Sequence, residues 1–212
     1  MEITRDFSKS HCFHMFLAIA ILLSSCGVKK ETVRPTDKQI SVSVVPEEYI
    51  VYSDYFKSKF PARDKELMIR RDSAELTIKK LNDSLRNRIK ESGADVEPEL
   101  AEKFFSANQK SKPWEKLFDF GSPFSFAVED VLDNLRNSDN NEYWTKHPAS
   151  AGVYQLSGAG FNETNTKALI YVSRWGGKMN GDGEFLLMRK EQKSKDSKAV
   201  WVVDTEIYSW TN

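Results

Sequence analysis

KALIYVSRWGGKMNGDGEFLLMRKE, residues 167 to 191, places two apolar, β-branched and aromatic runs on either side of a glycine-rich polar connection. KALIYVSRW (167–175) and EFLLMRKE (184–191) have the composition of strands, and a connection as short as GGKMNGDG between them implies a hairpin. Glycine admits positive φ, and Asn-Gly and Asp-Gly favour tight hairpin turns, so the connection reads as a turn. The alternative is a cation site built from Asn180, Asp182 and Glu184. An EF-hand is excluded: with Gly183 at the sixth loop position, Lys178 and Arg189 fall where anionic ligands are required, and a strand follows in place of a helix. A phosphate loop is excluded too, since no Lys-Ser/Thr pair leads into a helix.

The same strand composition extends to VYQLSG (153–158) and AVWVVDTEIYSW (199–210). Short connections between the four runs predict an antiparallel meander. Several runs are apolar on both faces, so helices must cover at least one face.

Toward the N-terminus the spacing becomes helical. PEEYIVYSDYFKSKF (46–60) opens with proline and two glutamates, suited to a first helical turn, and sets Tyr49, Val51, Tyr52, Tyr55 and Phe56 near helical spacing. Ala74, Ile78, Leu81, Leu85 and Ile89 make one apolar stripe over 74–90. ELAEKFFSANQK (99–110) predicts a helix burying Leu100, Phe104 and Phe105, and PFSFAVEDVLDNLRN (123–137) a short strand running into a helix. KELMIRR (65–71) is a short strand or the start of the next helix; periodicity does not decide. The expected fold class is α+β, a helical N-terminal half packed on a C-terminal four-stranded antiparallel meander, with cystatin-like and NTF2-like folds as analogues.

Residues 13–23, FHMFLAIAILL, are too few to cross a bilayer core that needs about 20 residues, and read as the core of a signal peptide. Leu23-Ser24-Ser25-Cys26 follows and resembles the bacterial lipobox, in which small side chains precede the cut and the cysteine thiol receives the lipid. The expected organisation is a signal peptide over 1–25, a lipidated N-terminus and tether over 26–44, and a single domain over 45–212. Cys26 is the expected lipidation site. Two or more acyl chains, at about 0.8 kcal/mol per buried methylene, would make the anchor effectively permanent. Gly27 in place of aspartate after the cysteine permits sorting to the outer membrane of a bacterial envelope.

Formal net charge is zero, which argues against a nucleic-acid footprint. Cys12 leaves with the leader and Cys26 is acylated, so no thiol remains for a disulfide, thiolate metal site or nucleophile. His147 is then the only histidine, which removes two-histidine zinc sites and HExxH chemistry. No GxSxG elbow supports a serine hydrolase. Tyr143, Trp144 and His147 form the best aromatic and titratable cluster, a candidate ligand-binding edge beside Pro148. No cofactor is expected.

Several segments together resemble a family of uncharacterised exported proteins, often lipoproteins, common in Bacteroidota. They are Glu47-Glu48-Tyr49-Ile50-Val51-Tyr52-Ser53, Phe105 with Asn108, Leu156-Ser157 with Gly160-Phe161-Asn162, Ala168-Leu169, the glycines 176, 177, 181 and 183, and Trp201. His147 stands where that family has an aromatic before proline, against a catalytic role for it. The resemblance implies export and anchoring and carries no known activity. The function expected is therefore that of an envelope lipoprotein acting as a non-enzymatic binding or interaction module, its partners the membrane through the lipid and an envelope protein or small molecule. The alternative is a hydrolase-like enzyme working through paired carboxylates.

Overall fold

ELMIR and FSFA, the two short apolar runs of the N-terminal half, are strands. In the computed structural model, which describes residues 44–60, 66–74, 79–137, 144–176 and 180–211, seven strands among the described residues build one sheet. They are β1 (Glu66–Arg70), β2 (Phe124–Ala127), β3 (Ser150–Leu156), β4 (Gly160–Phe161), β5 (Lys167–Trp175), β6 (Gly181–Glu191) and β7 (Val200–Thr211). The order is β2-β1-β3-β5-β6-β7, with β4 paired to β5. β1 lies parallel to both neighbours, Ile69 standing opposite Phe126 on one side and Tyr154 on the other. From β3 to β7 the pairs are antiparallel. All these elements belong to the compact unit Ser43–Asn212; the leader, Cys26 and the tether as far as residue 43 lie outside the described residues.

The expectation of a helical half packed on a four-stranded antiparallel meander is thus overturned. The sheet is mixed, and the N-terminal half supplies two of its strands. Parallel pairing requires long crossovers, commonly helical. Here α2 (Lys79–Ser92) and α3 (Pro98–Ala107) lie between β1 and β2, and α4 (Glu129–Asn137) between β2 and β3. The sequence signal was short because a central strand covered on both faces shows a bare apolar run, Leu67-Met68-Ile69, instead of alternation.

Strand alternation sorts the core into two layers. Leu67, Ile69, Tyr154, Leu156, Ala168, Ile170, Val172, Leu186 and Met188 face one side, beneath α1 (Glu47–Lys59) and the aromatic segment from Trp114 to Phe120. Leu169, Phe185 and Leu187 face the other, against Leu100, Phe104 and Phe105 of α3, and Met68 and Val153 meet Val131, Leu132 and Leu135 of α4. Helices therefore cover both faces, which also removes the cystatin-like and NTF2-like analogies with their one-sided curved sheet.

α1 carries Glu47 and Glu48 in its first turn and Lys57 and Lys59 in its last, matching the helix dipole. Its start and middle are stitched to β7: Trp201 donates its indole N–H to Glu47 Oε1 (2.7 Å), which also pairs with Lys190 (2.7 Å), and its backbone N–H to Asp54 Oδ2 (2.9 Å). This fixes where the other end of α1, with Tyr55, Lys59 and Phe60, overhangs the sheet.

β3 and β4 run along the same side of β5, separated by Ser157, Gly158 and Ala159. That interruption leaves buried backbone groups which side chains satisfy. Asn108, fully buried just beyond α3, donates to Phe104 O (2.8 Å) and Gly158 O (2.9 Å) and accepts from Gly158 N–H (2.6 Å). From the other face, the Tyr52 hydroxyl donates to Ser157 O (2.7 Å) and Glu48 Oε1 accepts from Ala159 N–H (2.8 Å). Gly160 lets α3 approach, because a Cβ there would lie 2.5 Å from the Phe104 nitrogen.

Asn108→Ala is expected to leave the buried Gly158 N–H and Phe104 O without their side-chain partner, Gly158 O keeping the Ser157 hydroxyl at 2.9 Å, and to lower stability by about 2–4 kcal/mol. Urea denaturation checks this, and a loss below about 1 kcal/mol would contradict the clasp.

Candidate functional site

Beyond the C-terminal end of α1 none of the described elements lies over the sheet, and a cleft of about 970 Å³ opens there. Its floor follows the strand register. One row runs Tyr154, Arg174, Asp182, Thr211 across β3, β5, β6 and β7, and the next runs Leu156, Val172, Glu184, Ser209. Tyr55, Lys59 and Phe60 form one wall, and Trp144 contributes from the far side. The wall carries aromatic rings and the floor carries charge.

Every basic group lining the cleft faces an acid. Arg174 Nε and Nη2 both meet Asp182 Oδ1, at 2.6 and 2.5 Å, directly across the β5–β6 ladder. Nη1 donates to Ala151 O (3.4 Å), and Nη2 also reaches Asn180 Oδ1, more distantly (3.5 Å). Lys59 pairs with Glu184, whose second oxygen accepts from the Tyr55 hydroxyl at 2.9 Å. Glu206, exposed in the neighbouring row, has no partner among the described residues. No histidine or cysteine lines the cleft.

The residues expected as a cation set, Asn180, Asp182 and Glu184, do come together here, yet Asp182 and Asn180 gather around a guanidinium and Glu184 around an ammonium. Their charge is answered by protein cations, and the described residues contain no group of three His, Cys, Asp or Glu that could hold a metal ion. Of the expected aromatic edge, Trp144 lines the cleft; Tyr143 lies outside the described residues, and His147 sits half-buried outside the lining.

The glycine run has a different role from the one its dipeptides suggest. Gly176 N–H donates to Asn180 O (2.6 Å), closing the β5–β6 hairpin, so Gly181 and Gly183 are already within β6. Positive φ is not what they provide. A Cβ on Gly183 would lie 2.7 Å from the Trp210 ring and 2.8 Å from the Tyr171 hydroxyl, and the Trp210 indole N–H donates to that hydroxyl at 3.0 Å. The glycines let Trp210 lie flat against the sheet, 5.6 Å from Trp175 between ring centres.

Sequence reasoning missed Arg174, Lys59, Tyr55, Tyr154, Glu206 and Ser209. Arg174 had a signal: it stands opposite Asp182 once the hairpin register is known. Lys59 had none, since 125 residues separate it from Glu184.

Comparison of the chain with protein-family models, with curated proteins and with solved structures finds no match.

Burial, reinforced by the adjacent Glu184 charge, raises the Tyr55 hydroxyl far above its ordinary 10.0. Burial also raises Tyr52 and Tyr171. The folded protein thus holds protons that the unfolded chain releases above pH about 10, so this contribution to stability is complete below that pH and is lost as pH rises. In an alkaline titration followed by tyrosinate absorbance, these three side chains should ionise only as the fold is lost. Tyr55→Phe should make the alkaline fall of stability shallower; an unchanged slope would contradict the assignment.

Proposed function

We propose that the protein is a lipid-anchored component of a bacterial envelope whose globular part is a non-enzymatic binding module, with the cleft as its ligand site. Support for the anchor comes from the leader, the Leu23–Cys26 motif and the resemblance to exported lipoproteins. Gly27 favours the outer membrane. None of the described helices is long and apolar enough to cross a membrane. In this reading the lipid on Cys26 holds the protein at the bilayer.

The observation that carries the binding reading is the cleft itself. Its volume lies at the upper end of the roughly 300–1,000 Å³ typical of small-ligand sites, and its paired ions and aromatic walls are held by packed elements. Carboxylate catalysis would need one carboxyl poised as an acid and another as a base. Asp182 and Glu184 are instead each engaged by a neighbouring cation, which favours positioning over proton transfer.

Two outcomes test the two halves. Cys26→Ser should release the protein from the membrane fraction of its native host, and the wild-type N-terminal peptide should carry acyl mass; unmodified full-length protein in the cytosol would overturn the anchor. For the cleft, Ser209→Trp places a bulky ring on an exposed strand position in the floor. A thermal-shift screen of a small-molecule library should yield at least one compound that raises the Tm of the wild type but not of this variant. A ligand at about 100 times its Kd adds about 2.7 kcal/mol, and failure to find any such compound would overturn the binding reading.

A further inference from the structure

We infer that the cleft takes a neutral carbohydrate, an oligosaccharide of several rings; this rests on the binding reading above. The first argument is electrostatic. Arg174 is already paired with Asp182 and Lys59 with Glu184, so both cations are neutralised in place and an anionic ligand gains little net attraction from either. A cationic ligand would find only Glu206 unpaired, at an exposed position where a single charge is well screened. A neutral ligand disturbs neither pair.

The second argument is the mixture of hydrogen-bonding groups left over. Asp182 Oδ2 and the Glu206 carboxylate accept. The Asn180 amide nitrogen donates, and the Ser209 and Thr211 hydroxyls do both. These groups sit on the two strand rows of the floor and on the row beside them, within one face of the sheet. A ligand that meets them must carry many groups that both donate and accept, as sugar hydroxyls do. Leaving such groups unpaired on binding would cost about 1–3 kcal/mol each, which disfavours an apolar ligand.

The third argument is the wall. Phe60 and Trp144, both partly exposed, present ring surface beside this polar floor, and the buried rings of Tyr55 and Tyr154 back them. A pyranose has C–H faces and a hydroxyl rim, and so matches aromatic walls and a polar floor together. The volume of about 970 Å³ suits several linked rings better than one. Preorganisation adds to this: Arg174 is held by Asp182 and the Ala151 carbonyl, and Glu184 by Tyr55 and Lys59, so little rotamer freedom remains to be lost.

The test uses the full chain in detergent, titrated by calorimetry with maltohexaose, cellohexaose, chitohexaose and mannohexaose. At least one should bind saturably. Its Kd should change by less than about twofold between about 0.05 and about 0.5 M sodium chloride, because no net charge is neutralised. Ser209→Trp should weaken it by at least about tenfold at unchanged Tm, and Thr211→Val, a smaller change in the same floor, should weaken it measurably. Absence of binding by all four, binding indifferent to Ser209→Trp, or strong salt dependence would each overturn the inference. If the library screen meanwhile gives a cleft-dependent ligand of another class, the binding function stands and only the carbohydrate assignment falls.

Discussion

The structure hangs on the interruption between β3 and β4. A strand that breaks inside a protein exposes backbone donors and acceptors to a dry interior, and each must find a partner there. At Ser157, Gly158 and Ala159 the partners come from both layers. Asn108 reaches in from the C-terminal end of α3, Tyr52 and Glu48 reach in from α1, and the Ser157 hydroxyl accepts from Tyr171 N–H on β5 at 2.9 Å. One three-residue segment therefore locks the two helical layers to the same strand pair.

That lock has a consequence at the other end of α1. The helix is held at its start by Glu47 and Glu48 and at its middle by Tyr52 and Asp54, so its last turn extends over the sheet at a set height. Phe60 caps that turn, its backbone N–H donating to Phe56 O at 3.0 Å. Beyond it no described helix covers the ends of β5, β6 and β7 on that face. The cleft is the space between the end of a short helix and the ends of three long strands. Polar residues can occupy its floor because water reaches them; the same strands further along carry Ala168, Ile170, Leu186 and Met188 where α1 covers the sheet.

Charge on the floor is arranged for rigidity. Arg174 and Asp182 face each other across a ladder, a cross-strand pair that contributes modestly to stability at partial exposure but fixes both side chains. Glu184 is held at both oxygens, by a lysine and by a tyrosine whose proton is retained through burial. Charges paired in this way exert little net field. Zero net charge in the whole chain agrees with it.

Local pattern was sufficient for some of this and insufficient for the rest. Turn residues and strand composition made the hairpin of residues 167–191 legible, because both act over about ten residues. Pro46 with two glutamates did the same for α1, and the stripe through Leu85 and Ile89 for α2, although Ala74, the first residue of that stripe, lies outside the helix. The parallel pairing was not legible. FSFA reads as a short strand, ELMIR is too short for periodicity to separate strand from helix, and the pairing of both depends on crossovers that no local rule encodes. The site was half visible: Asp182, Glu184 and Trp144 stood out by type, while their role depended on Arg174, Lys59 and Tyr55, brought to them by folding.

The sequence by itself determined which segments extend and which coil, and where the chain turns, since those are properties of neighbouring residues and their steric preferences. Only the tertiary structure decided that the sheet is mixed, that helices cover both faces, and that the conspicuous glycines make room for Trp210 while the carboxylates beside them hold cations. The physical reason is that these outcomes depend on groups up to 154 residues apart meeting in one place, and strand order and helix placement alone arrange such meetings.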